Sequence, residues 1–278
     1  MAGTLYVVAT PLGNLGDLSP RAAEVLRSVP VVAAEDTRRT RVLLAHLGAT
    51  PRLVSVHAHS DPRRLAAILA TLRGGRDVAL VTDAGTPGIS DPGPELVARV
   101  RAAGLAVVPL PGPSAVAAAL SAAGLPADRY LFLGFLPRRG AERERLLGVA
   151  AESEWTVVLF ESPPRLAALL DDLARVAGGD RQAVVARELT KLHEEIRAGT
   201  LGELAAHYRG GRVRGECTVL VAGRGAVRAA KRSGGDAART LARRLLAEGH
   251  SRRDVIRELA RHLALSRNEA YRVVTSLS

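Results

Sequence analysis

Several loops of this 278-residue chain collect the residue types that bind or activate ligands, and each follows a β-rich run. The segment Asp83 to Gly93, D-A-G-T-P-G-I-S-D-P-G, packs three glycines, two prolines, two aspartates, Thr86 and Ser90 into eleven residues after the run V-A-L-V-T. Glycine permits close backbone approach, proline fixes the shape, and exposed N–H and C=O groups are left to bond a ligand. Alone, such a stretch reads equally well as an ordered surface loop with turn chemistry. A second stiff loop, P-G-P-S from Pro111 to Ser114, turns into a helix that Ser114 is expected to cap, and the pair together favour a ligand site. A third, Thr10 to Asp17, offers Gly13 and Gly16 without forming G-x-G-x-x-G. Glu35 and Asp36 follow about twenty residues later, where a ribose-binding acid lies in a dinucleotide fold, so a nicotinamide enzyme is one alternative.

Charged side chains after other runs could supply acid–base or anion-binding chemistry. A-R-E-L-T-K-L-H, from Ala186 to His193, presents the carboxylate Glu188, the amine Lys191 and the imidazole His193. Arg38 and Arg39, beside Glu35 and Asp36, can grip phosphate in bidentate fashion or close a structural ion-pair cluster. Arg138, Arg139 and Arg165 could continue a phosphate track. His57-Ala-His59-Ser-Asp61 mimics the start of a metallohydrolase ligand set, but Pro62 stands where the next histidine belongs, so no metal is expected and a substrate-facing loop is the better reading.

The composition, 47% hydrophobic and 24% charged, supports two medium domains and a small appendage. No apolar run reaches the roughly 18 residues that span a bilayer, and no basic stretch precedes the first one, so no membrane association is expected. A single cysteine, Cys217, excludes an intrachain disulfide and points to the cytoplasm. The net charge of +11 calls for a polyanionic partner. Lysine occurs only at 191 and 231 against an arginine-rich background, which marks out Lys191. From Arg224 onward 13 basic residues face 5 acidic ones, so most of the excess charge sits in the tail.

These candidates need a frame to hold them. Strands near 4–9, 31–34, 53–56, 78–82 and 106–109 alternate with helical patterns near 37–47, 61–73, 94–103 and 114–123, with Ser19-Pro20 opening another, which implies a mostly parallel sheet with helices on its faces. A second alternation uses Tyr130–Leu133, Trp155–Phe160, Gln182–Ala186 and Glu216–Val221. Glu195–Gly199 would add a strand and Thr200 would cap a helix to Tyr208, giving a mixed sheet. Gly223 to Asp236 reads as a glycine-rich basic linker. Beyond it come three short amphipathic helices: Leu241, Leu245 and Leu246 before Gly249; Val255, Ile256, Leu259 and Leu263 after Ser251; and Ala270, Val273, Val274 and Leu277 after a capping box at Ser266–Glu269. The expected division is 1–123, 124–223, a linker over 224–235, and a helix-turn-helix-like module over 236–278.

The motifs T-P-L-G-N-L-G-D, A-E-D-T-R-R-T, D-A-G-T-P-G-I-S-D-P-G, P-G-P-S-A, G-F-L-P-R, F-E-S-P-P-R and A-R-E-L-T-K, in order from Leu5 to about Gly223, resemble the ribosomal RNA small subunit methyltransferase I family of the tetrapyrrole methylase superfamily. The resemblance implies two α/β/α lobes with S-adenosylmethionine in the cleft between them, a homodimer, and 2′-O-methylation of a cytidine ribose in the decoding region of 16S rRNA within the small ribosomal subunit. By motif position it implies that Leu12, Gly13, Thr86, Pro87, Gly88, Ile89, Ser114 and Ala115 touch the cofactor, with Phe160 and Ala186 from the second lobe. Pro164 departs from the pattern, which usually has histidine there.

Methyl transfer from a sulfonium is an in-line displacement that needs alignment and no metal. A ribose hydroxyl is a poor nucleophile at neutral pH, so a base or a nearby cation would help, and Lys191 leads Glu188 and His193 for that task. The basic tail could bind rRNA phosphates or serve only as a packing element. A methylase acting on a tetrapyrrole precursor is the nearest alternative, and it gives no reason for that tail. A DNA-binding regulator led by the tail is a further one.

Overall fold

A computed structural model describes residues 2–57, 61–211, 213–224, 238–262 and 267–277. The first sheet has the order β3-β2-β4-β1-β5, all parallel, from β1 (Leu5–Val8), β2 (Val31–Ala34), β3 (Arg52–Ser55), β4 (Val78–Val81) and β5 (Val107–Leu110). Its inner strands are apolar on both faces, as helix-covered parallel strands must be. In β4, Val78 and Leu80 enter one core cluster while Ala79 and Val81 enter the other. Helices α1 (Pro20–Ser28) and α2 (Thr37–His46) cover one face; α3 (Pro62–Arg73) and α4 (Pro94–Ala102) cover the opposite face. The starts are chemically marked. Ser19 accepts from Ala22 N–H with Pro20 behind it, and Asp36 and Asp61 accept from Arg38 and Arg63 N–H.

The second sheet has the order β6-β7-β10-β8-β9, from β6 (Tyr130–Phe135), β7 (Thr156–Glu161), β8 (Gln182–Arg187), β9 (Glu195–Thr200) and β10 (Cys217–Val221). Only β6 and β7 pair in parallel, so the sheet is mixed, as expected. Helices α6 (Ala141–Glu152), α7 (Leu166–Ala177) and α8 (Leu201–Arg209) lie on one face, and Thr200 with Glu203 forms a full capping box for α8. The opposite face is covered by α5 (Ala115–Ala123), whose Val116, Ala119 and Leu120 pack on Val158, Val184 and Leu220. Helix α5 thus follows the first sheet in the chain and packs on the second.

Arg143 of α6 is an interior cation, 9% exposed, whose Nη2 lies 2.7 Å from Asp172 and whose Nη1 donates to Pro137 O at 3.0 Å. Removing one partner of a buried pair commonly costs 3–5 kcal/mol, but Asp172 is partly exposed and keeps Arg175 3.5 Å away. Arg143→Met is therefore expected to destabilise the fold by about 2 kcal/mol, read as a lower urea midpoint with an unchanged slope.

In the C-terminal segment, helical residues 238–247 (α9), α10 (Arg252–His262) and α11 (Arg267–Thr275) close a small core of Ala238, Ala242, Val255, Leu259, Ala270 and Val274. Gly249 takes φ +88° at the first stop, and Ser251 accepts from Asp254 N–H. Most of the expected linker, Leu263 and the Ser266 half of the expected capping box lie outside the described residues.

A cleft between the two sheets as candidate active site

The loops at the carboxyl ends of β1, β4 and β5 meet the second sheet across a cleft of about 240 Å³. Three loops are tied together on the first-lobe side. Thr10 and Gly85 exchange N–H to O=C bonds of 2.9 Å, Thr10 Oγ1 donates to Thr82 O at 3.1 Å, and Thr86 Oγ1 donates to Pro113 O at 3.1 Å. Gly85 adopts φ +82°, and Gly93 adopts φ +140° with Leu80 Cδ2 only 3.1 Å from where a Cβ would stand. The Asp83 to Gly93 loop is thereby held by its backbone, leaving Thr86, Ile89 and Asp91 to line the cleft. Ser114 occupies the N-cap position of α5 but makes no capping bond, contrary to expectation; its residue lines the cleft beside Ala115.

Across the cleft, the second-lobe residues come from one edge of the sheet. Cys217 at the start of β10 pairs with Glu161 at the end of β7 and with Arg187 at the end of β8, because β10 runs antiparallel to both. Glu161, Ser162, Glu216 and Thr218 therefore reach the same wall. Phe160 packs edge-on against Phe132 at 5.0 Å and tilted against Phe135 at 5.6 Å, so Phe160 and Phe135 give the wall an aromatic surface. Glu161 is 1% exposed; its Oε1 accepts from Ser162 N–H at 2.7 Å and Ser162 Oγ at 3.1 Å. Its Oε2 lies 3.0 Å from Arg165 Nη2 without a hydrogen bond, and that nitrogen donates to Leu136 O at 2.9 Å. A buried carboxylate oxygen with unused acceptor capacity therefore borders the cleft.

The loop after β8 closes one side. Glu188 and Thr190 adopt φ +51° and +65°, a conformation non-glycine residues rarely take. Lys191 Nζ lies 2.8 Å from Glu188 Oε1 and 3.6 Å from Glu216 Oε2. Its stem crosses to the first lobe, where a Cβ on Gly13 would stand 2.2 Å from Lys191 Cγ. Partial burial opposes the ammonium, but the Glu188 bond and the Glu216 charge outweigh it and raise its proton affinity. The same bond lowers that of Glu188, so the pair is charged at neutral pH.

Of the residues expected at a cofactor, Leu12, Thr86, Ile89, Ser114, Ala115 and Phe160 line this cleft. Gly13 lies under Lys191, Pro87 and Gly88 form the back of their loop, and Ala186 is buried in the core beneath. His193 is exposed and outside the cleft lining. Arg138 and Arg139 are exposed between β6 and α6, and Pro164 is exposed beside Arg165. Arg38 pairs with Asp36 at 2.6 Å, and Arg39 reaches Asp83 at 3.5 Å. Glu35, the expected ribose acid, points inward and accepts from Thr82 Oγ1 at 2.7 Å and Asp83 N–H at 3.3 Å. Of the stretch that mimics a metal ligand set, His59 lies outside the described residues and Asp61 caps α3.

A second cavity, of about 590 Å³, opens beside the first, lined by Glu35, His57, Glu95 and the Ser90 to Leu96 segment. Asp91 borders both cavities. Burial first, and then the Glu35 charge, push its carboxyl up to about 6, against an opposing hydrogen bond from Thr82.

A family model for tetrapyrrole (corrin/porphyrin) methylases matches residues 4–205. "Ribosomal RNA small subunit methyltransferase I" of Synechocystis is 44% identical over 276 residues, covering 99% of this chain and 98% of its own. The protein of that name from Pseudomonas aeruginosa is 49% identical over 242 residues, covering 86% of each chain. The chain belongs to the ribosomal RNA small subunit methyltransferase I family, among the tetrapyrrole methylases. The enzyme is a methyltransferase with S-adenosylmethionine as its cofactor. Its fold is that of cobalt precorrin-4 methyltransferase (TM-score 0.59, 22% identity, 79% of this chain and 94% of the other). A uroporphyrin-III C-methyltransferase from Thermus thermophilus, solved with S-adenosylhomocysteine, shares it at TM-score 0.58 and 21% identity, over 79% of this chain and 97% of the other. The cleft's chemistry fits the cofactor: Asp91, Glu161 and Glu216 suit a ligand carrying a sulfonium and an ammonium, and Phe135 with Phe160 suits a flat heterocycle.

Proposed function

We propose that the enzyme methylates the 2′-hydroxyl of a cytidine ribose in the decoding region of 16S rRNA, on the small ribosomal subunit, as a cytoplasmic homodimer. The observation that carries the RNA substrate is the reach of the likeness. The Synechocystis relative is 44% identical over 99% of the chain, basic tail included, and the Pseudomonas aeruginosa relative 49% identical over 86% of it, whereas the uroporphyrin and precorrin methyltransferases are 20–22% identical over 78–79% of it. A surplus of eight positive charges in a segment shared with an rRNA methyltransferase suits phosphate contacts.

S-adenosylmethionine supplies an electrophilic methyl group when bound. The protein's part is to hold, align and exclude water. In this reading, Leu12, Gly13, Thr86, Pro87, Gly88, Ile89, Ser114, Ala115 and Phe160 form the cofactor seat, with Ala186 supporting it from the core. Lys191 and Glu188 act as a fixed ion pair that braces the cleft wall, and His193 is a rim contact. Arg38, Arg39, Arg138 and Arg139 meet RNA phosphates outside the cleft, while Arg165 braces Glu161. Along the chain the lobes divide near 123/124, with α5 of the first segment covering the second sheet, and the module over 236–278 grips rRNA.

The test is mass mapping of nucleosides after small subunits lacking the modification are incubated with the enzyme and labelled S-adenosylmethionine. Label on a cytidine ribose is the expected result. Label on a base, or transfer only to a tetrapyrrole acceptor, overturns the proposal.

A further inference from the structure

Lys191, the leading sequence candidate for proton acceptor, is a paired cation, and Glu188 is its partner. A base for the reaction has to be sought among carboxylates that reach both the methyl donor and the methyl acceptor. Asp91 alone among the described residues lines both the cleft between the sheets and the larger cavity beside it. The backbone turns there. Ser90 adopts φ +66° with its Oγ only 2.8 Å from where a Cβ on Gly134 would stand, so Ile89 faces the cleft, Ser90 the cavity, and Asp91 the partition between them.

The larger cavity has its own chemical character. Among the described residues its polar lining comprises Glu35, His57, Ser90, Asp91 and Glu95, with no arginine or lysine, and Val56 and Leu65 add apolar surface. Such walls suit the O–H and N–H donors of a nucleoside. We propose that this cavity admits the acceptor nucleoside and that the Asp91 carboxylate takes the proton of the hydroxyl that becomes methylated. The inference rests on the ribose reading above.

The step balances within the two substrates and Asp91. The hydroxyl proton passes to an Asp91 oxygen while the hydroxyl oxygen's electron pair forms the bond to the methyl carbon. The bond from that carbon to sulfur breaks with its electron pair left on sulfur, which becomes a neutral thioether. Asp91 then returns the proton to solvent. The titratable and polar groups around Asp91 are Glu35 after β2, Thr82 and Asp83 after β4, Glu216 before β10, His57 after β3, Glu95 of α4 and Glu161 of β7. Burial disfavours its charge most, and the Glu35, Asp83 and Glu216 carboxylates add to that, leaving a base whose proton affinity lies close to working pH.

The decisive variant is Asp91→Asn in the full chain. With saturating subunits and cofactor, its single-turnover rate of ribose methylation is expected to fall by at least about a hundredfold, the usual lower bound for a general base. The wild-type rate is expected to rise with pH through a single ionisation, and that limb is expected to vanish in the variant. Independently of activity, ¹³C-carboxyl-aspartate NMR of the free wild-type enzyme is expected to show a resonance titrating near 6 that Asp91→Asn lacks. A urea midpoint near that of wild type verifies that the variant is folded. A variant rate within about threefold of wild type, a retained pH limb, or no such resonance overturns the Asp91 assignment while ribose labelling by wild type stands. Wild-type label on a base removes the ribose reading itself, and the Asp91 step with it.

Discussion

Gly13→Val is expected to lower methyl transfer at least about a hundredfold while the urea midpoint stays near wild type, because displacements of about 1 Å in an aligned site carry penalties of that size. The Cβ alone would stand 2.2 Å from Lys191 Cγ and 3.1 Å from both Cδ and Cε, so the contact involves the middle of the stem rather than its mobile tip. A displaced Lys191 stem strains its pairing with Glu188 at 2.8 Å and with Glu216 at 3.6 Å. The loop is exposed at Asn14 to Asp17, which is why overall stability is expected to hold. Calorimetric titration with S-adenosylhomocysteine should show the loss as weakened binding, and adding Lys191→Ala to Gly13→Val should restore that binding. A double variant that binds no better than Gly13→Val would show that the two loops are not coupled through this contact.

Glu161→Ala is the second large effect and acts first on the fold. The substitution strands the Arg165 guanidinium, 29% exposed, and removes the acceptor of Ser162 N–H and Oγ. Breaking a buried ion pair from one side costs 3–5 kcal/mol; with Arg165 still bonded to Leu136 O, about 3 kcal/mol is expected. Denaturant unfolding of the apo enzyme measures this. Glu161→Gln, which keeps the shape and one acceptor oxygen, should recover more than half of the lost stability yet bind the cationic cofactor more weakly than wild type. Equal cofactor affinity in Glu161→Gln and wild type would remove Glu161 from the binding surface.

Much of the frame was legible because its signals are local. Ser19-Pro20, Thr200 with Glu203, and Ser251 are hydrogen-bonding devices within four residues of the backbone they serve. The run V-A-L-V was legible as a strand because both its faces are apolar. The stiff loops were legible as ligand-ready, and six of the residues they and the F-E-S motif suggested do share one cleft. Glu161 and Glu216 were missed as wall residues. The rule that ligands sit at carboxyl ends of strands assumes a parallel sheet, and in the second lobe the amino end of β10 lies in that row. Ser114 looked like a cap because its type and position fit, but nothing in sequence tells a hydroxyl turned to its own helix from one left facing a cleft. Asp91 was quoted only as part of a turn-rich loop. Its proton affinity depends on burial and then on Glu35, which is distant in sequence, and its place between two cavities depends on the second lobe.

The crossing of α5 from the first sheet to the underside of the second has a mechanical consequence. Because Val158, Val184 and Leu220 have this helix as their cover, a chain severed after Ala123 would take the roof of the second lobe away with the first. The two halves are interlocked parts rather than separable modules. The only covalent lever between the first sheet and that roof is the P-G-P-S turn, where Gly112 lies so close to Ala9 that a Cβ would stand 3.0 Å from its side chain. Any rocking of one lobe against the other must be transmitted through this turn, one end of which is itself a wall of the cleft. Opening and closing of the enzyme would therefore be felt first at Ser114 and Ala115, where the methyl donor sits in the proposed arrangement.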